Sequence, residues 1–100
     1  MPTVYVTAPL STASELAETL VNERLAACVN QFACESTYRW EGEVVTDDEV
    51  VLLIKTTNER YDQLESRIEA LHPYDVPCIE RFDETDMLDR FSVWISESVE

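Results

Sequence analysis

Metal chemistry is the first possibility raised by the residue types of this 100-residue chain, because it holds three cysteines and one histidine. Cys28 and Cys34 fall on one face of one extended segment. Six residues separate them by about 20 Å, too far to share an ion within one chain. Cys78 opens a different segment, and no pair has a metal-ligand spacing. Spacing alone makes each cysteine a small core residue. His72 precedes Pro73, which forces it out of a helix into an extended conformation. There it either caps the helix C-terminus or offers a ligand nitrogen. Nucleophilic catalysis has little to work with, since one histidine serves the whole chain and no Gly-x-Ser-x-Gly elbow is present. Gly42 is the only glycine, so a phosphate-cradling loop is ruled out. With 21 acidic residues, paired carboxylates occur everywhere and single out no position.

Lys55 stands apart. It is the only lysine and follows the most apolar run, Val50 to Ile54. A lone ammonium at the end of a buried strand either pairs with a carboxylate or binds an anion. Tyr38, Trp40 and Tyr74 are amphipathic types suited to a pocket or a subunit interface.

The elements that would position these residues follow from periodicity. Residues 3–9, rich in Val, Thr and Tyr, read as a strand. Thr12 and Glu15 have capping-box spacing, and Leu16, Ala17, Leu20, Val21 and Leu25 recur at helical intervals after them. Residues 28–40 alternate as a half-buried strand. Gly42 marks a turn, and residues 44–57 return as a second long strand whose apolar run places it centrally. Residues 46–49 interrupt that run and suggest a bulge or bend. Asn58 is a plausible N-cap for a second helix with Tyr61, Leu64, Ile68 and Leu71 inward. Pro73 and Pro77 frame a rigid loop. A short strand covers residues 78–82. Residues 83–86 then cap a last helix with Met87, Leu88, Phe91, Trp94 and Ile95 facing inward. The order β-α-β-β-α-β plus a helix makes residues 1–100 one α+β domain, a ferredoxin-like sandwich with an extra C-terminal helix. Its sheet is antiparallel, with the first and third strands central.

A strand of 13 residues spans roughly 43 Å, against the usual 5–6 residues of a small domain. Such a hairpin either overhangs its own core or bends back on it. Overhang exposes Tyr38 and Trp40 near the tip, and another subunit is expected to cover them.

Charge narrows the partners. Twenty-one acidic residues against seven Lys and Arg give a net charge of -14. Such a surface suits neither a nucleic-acid backbone nor an anionic membrane. No apolar run approaches a spanning helix, and residues 1–6 lack the basic-then-apolar pattern of a signal peptide. An odd cysteine count fits a reducing cytoplasm. Like charges three apart on helix faces are costly in dilute buffer and screened at molar salt, as expected in a salt-loving organism.

Five segments in register resemble the CutA family of divalent-cation tolerance proteins: Val6-Thr7-Ala8-Pro9, Leu25-Ala26-Ala27-Cys28-Val29-Asn30, Ser36-Thr37-Tyr38-Arg39-Trp40-Glu41-Gly42, Ile54-Lys55-Thr56-Thr57 and His72-Pro73-Tyr74-Asp75-Val76-Pro77. Trp94-Ile95 also fits. The resemblance implies a homotrimer similar to the PII signalling proteins, with the long hairpin pairing between subunits. It also implies a divalent ion such as copper, or a small ligand, held in inter-subunit clefts with no chemical step and no required cofactor. The alternative it implies is a signalling or scaffold trimer acting on a protein partner. The family's copper positions fall here on Val6, Leu71 and His72, so only His72 carries over. Cys28 matches a cysteine common in the family, a packing residue first and a metal contact second. The residues expected to bind are Tyr38, Trp40, Lys55 and Tyr74 for a ligand, and His72 and Cys28 for a metal.

Overall fold

A computed structural model describes residues 1–100. Its elements are β1 (Pro2–Pro9), α1 (Leu10–Asn22), β2 (Cys28–Trp40), β3 (Glu43–Lys55), α2 (Tyr61–Leu71), β4 (Ile79–Asp83) and α3 (Asp89–Ser98). The strands form one sheet in the order β2-β3-β1-β4, each neighbour antiparallel. β1 and β3 are therefore central, as the apolar run at residues 50–54 requires of β3. This is the ferredoxin-like arrangement with an added C-terminal helix.

Alternation sends Val4, Val6 and Ala8 of β1, with Leu52 and Ile54 of β3, to one face of the sheet. There they join Ala13, Leu16, Ala17 and Leu20 of α1 and Leu64 and Ile68 of α2 in the main core. Burying each large side chain contributes about 1.5–3 kcal/mol. A smaller cluster of Ala27, Ile95 and Val99, flanked by Met1, Met87 and Phe91, ties α3 to the body. Leu88 and Trp94, expected inward, are exposed, because α3 begins at Asp89 and turns only Ile95 fully inward. Val21, expected on the core face of α1, is also exposed.

Local starts differ from the sequence expectation for identifiable reasons. Helix α1 begins at Leu10, with extended Pro9 before it and no side-chain cap, because β1 runs into it without a loop. The Thr12 and Glu15 pair thus lies inside the helix. At α2 the N-cap position is Arg60, whose N–H donates to Thr57 Oγ1 at 3.3 Å. Asn58 instead accepts a hydrogen bond from Arg81.

The β2-β3 ladder runs unbroken from Cys28↔Lys55 to Trp40↔Glu43, with no bulge at residues 46–49. Thr46, Asp47 and Asp48 stay in register there because the ladder beyond Glu49 has no core on either side. Glu41 (φ 50) and Gly42 (φ 82) close the hairpin as a two-residue turn whose central positions are both left-handed. Pairing of β3 with β1 ends at Glu49, so six pairs, Glu35↔Asp48 to Trp40↔Glu43, project beyond the sheet. The arm overhangs by about 20 Å. β2 was expected to be half-buried, but within one chain it is mostly exposed, with Phe32 at 50% and Trp40 at 47%.

Candidate functional site

The sheet face away from α1 and α2 carries Tyr5 and Thr7 of β1, Glu49 of β3 and the even-numbered residues of β2. The loop after α2 folds over this face beside the arm. Between them lies a cavity of about 620 Å³. Tyr5, Thr7 and Glu49 line its sheet side, and Ser36, Tyr38 and Trp40 line its arm side. Pro73, Tyr74, Asp75, Val76 and Cys78 close it from the loop.

His72 fixes that loop. Its ring is buried, with Nε2 2.7 Å from the Thr7 carbonyl oxygen. The Tyr74 N–H donates to its Nδ1 at 3.2 Å. A carbonyl only accepts and an amide N–H only donates, so the imidazole is neutral with its proton on Nε2. The rings of His72 and Tyr74 pack 4.8 Å apart. Tyr74 is thereby aimed at Glu49, and its Oη donates to Oε2 at 2.9 Å. Glu49 is only 4% exposed and belongs to no ion pair. Burial, reinforced by that hydrogen bond to the carboxylate, pushes the Tyr74 phenol above its ordinary range. The Tyr38 hydroxyl donates to Asp47, which with some burial raises its phenol too.

The far end of the same face is built differently. Lys55 Nζ donates to Thr3 Oγ1 at 2.6 Å and lies 3.5 Å from Glu84 Oε1. Thr3 Oγ1 donates in turn to Glu84. Burial pushes the Glu84 carboxyl up. The Thr3 hydroxyl, its own backbone N–H and the Lys55 ammonium outweigh this and hold it below its ordinary value. Its Oε2 is buried without a partner. Cys28 sits opposite Lys55 in the ladder, and burial raises its thiol while Lys55 partly offsets the rise.

The model of the CutA1 divalent ion tolerance family matches residues 2–98. The chain belongs to the CutA1 family. It is 40% identical over 95 residues to the divalent-cation tolerance protein CutA of Pyrococcus horikoshii, covering 94% of this chain and 93% of that protein. The solved structure of Archaeoglobus fulgidus CutA, described as a periplasmic divalent cation tolerance protein, matches at TM-score 0.95 and 36% identity over the whole of both chains. A PII-like CutA from Nostoc in apo form matches at TM-score 0.97 and 28% identity, covering 100% of this chain and 98% of that one. The fold is thus the PII-like CutA fold, and the chain is a divalent-cation tolerance protein of the CutA type.

Within this CutA chain the six residues singled out in the sequence separate into three places. Tyr38, Trp40 and Tyr74 share the cavity. Lys55 and Cys28 lie at the opposite end of the face, where Lys55 takes the carboxylate-pairing role. His72 stands behind the cavity as the support of its loop. Within one chain the two residues expected to hold a metal, His72 and Cys28, therefore stand apart. His72 has both ring nitrogens engaged. It reaches β1 at Thr7, while Cys28 sits in line with Thr3, about 13 Å along the strand. Of the family's copper positions, Val6 is fully buried in the core and Leu71 packs against it. No group of three His, Cys, Asp or Glu side chains converges in one chain. These residues do not fit a resident copper ion. Glu49 was not singled out, because one acid among 21 carries no signal until the loop is seen to cover it.

Proposed function

We propose that this CutA-family chain works as a cytoplasmic homotrimer that takes up a divalent ion or a small ligand in clefts between subunits, with binding and no chemical step. The projecting arm carries the reading. It presents an unpaired 13-residue edge on β2 together with exposed Phe32, Tyr38 and Trp40, and such edges are covered in stable proteins. The cavity lies at the root of that arm, where a neighbouring subunit would complete it. A divalent ion there would draw oxygen ligands from more than one chain, since one chain supplies only Glu49 and Asp75 as lining carboxylates. Three free thiols favour a reducing compartment. Only three ion pairs serve 21 acidic residues, which supports a surface suited to high salt. The likeness to a PII-like CutA favours a second reading, a signalling trimer acting on a protein partner.

Light scattering after size exclusion in molar KCl tests the assembly: three chains per particle are expected, and a monomer at micromolar concentration overturns it. Calorimetric titration with divalent ions tests the binding, where only saturable uptake at low stoichiometry counts in favour. Thermal stability is expected to rise with KCl, and a curve flat from low to molar salt sinks the salt-adaptation reading.

A further inference from the structure

We infer that the cavity between the arm and the 72–78 loop is a site for a small organic cation, an ammonium or quaternary ammonium group with apolar substituents. This deepens the ligand-binding reading above and rests on it. Glu49 is the starting point. Its side chain is more than nine-tenths buried, its hydrogen-bond donor is the neutral Tyr74 hydroxyl, and no cation faces it. Burying a carboxylate without a counter-charge is costly, and a cationic occupant removes that cost.

The walls point to the same chemistry. Tyr5, Tyr38, Trp40 and Tyr74 surround the space, and their ring faces attract cations. Within the chain that builds it, no Lys or Arg lines it. Lys55 is held by Glu84, and Arg81 is held by Asp83 and lies over the Tyr61 ring. An anion therefore meets only negative charge. Within one chain a bare metal ion finds only the Glu49 and Asp75 carboxylates, while about 620 Å³ suits a small molecule. Trp40 lines the arm side of the space, 47% exposed in the single chain, so it flanks the occupant on the side that a neighbouring subunit would complete.

Choline and its uncharged carbon analogue, 3,3-dimethyl-1-butanol, have nearly the same shape and test the charge directly. The full chain is titrated with each in KCl at constant ionic strength, followed by calorimetry and by the indole NMR signal of Trp40. Choline is expected to saturate one site per chain, with the analogue weaker by about tenfold or more. Trp40→Leu, at an exposed position, and Glu49→Gln are each expected to weaken choline by about tenfold. Equal binding of choline and the analogue overturns the inference, as does choline binding unchanged in both variants. Light scattering on the same samples reads assembly separately. A trimer that takes up a divalent ion but not choline overturns the organic-cation site and leaves the reading above standing.

Discussion

Glu84 and Glu49 occupy opposite ends of one sheet face, and the chain treats them in opposite ways. Glu84 meets the only lysine, with Thr3 bridging the pair. Glu49 is the more buried of the two, yet meets a phenol and no cation. The first end has the character of a structural ion pair that closes the sheet beside β4. The second has a charge still lacking its counterpart, next to a space lined with aromatic rings. With seven basic residues against 21 acids, a cation beside one carboxylate is a cation denied to another. Where the chain leaves a buried acid without one, the missing charge is the most informative property of the site.

This contrast can be broken by substitution. Lys55→Ala leaves Glu84 partly buried and uncompensated, and is expected to cost about 2–3 kcal/mol in urea unfolding at molar KCl, somewhat less than a fully buried pair. A loss below about 0.5 kcal/mol would place this end among ordinary surface pairs. Tyr74→Phe deprives Glu49 of its donor and is expected to cost about 1–2 kcal/mol in the same measurement. An unaffected midpoint would mean that water already serves that carboxylate. The acid limb comes next. The folded Glu84 carboxyl titrates below its unfolded value, so its contribution is present above the ordinary carboxylate range. It is lost as pH falls through the folded value. Glu84→Gln is therefore expected to flatten the loss of stability between neutral and acid pH, read from thermal midpoints across pH. Glu49→Gln should have the smallest effect, keeping a hydrogen bond to Tyr74 and removing only an unpaired charge. Stability within about 0.5 kcal/mol of the parent, or higher, is expected. A large loss would reveal a cation beside Glu49 that one chain does not show.

Periodicity was enough to read the element order and the long arm. The order β-α-β-β-α-β implied which strands are central, and the run at residues 50–54, apolar on both faces, placed β3 among them. Two alternatives stand open for Lys55 in the sequence, and the single chain shows it paired with Glu84. Helix starts were less legible. The Thr12 and Glu15 spacing has the form of a cap, but Pro9 brings the chain straight from β1 into α1. Residues 46–49 looked like a bulge because polar residues break an apolar run. In a two-stranded arm without a core, that run has no meaning for register. The cavity was legible in its aromatic residues and not in its acid. Tyr38, Trp40 and Tyr74 are rare types, whereas the role of Glu49 depends on His72 fastening a loop across it.

The two-residue closure at Glu41 and Gly42 also bears on the order in which the molecule is made. Every rung of the arm joins residues close in the chain, starting from Trp40↔Glu43, so zipping up from the turn closes no long loop. Contacts of that kind form early, and hairpins close in about 1–10 μs. The β1 pairing with β3, spanning some forty to fifty residues, comes later. An arm completed within its own chain is already ordered before it meets any neighbour. In the trimer proposed above, association would then proceed by docking finished edges, with little tendency for subunits to exchange strands as they meet.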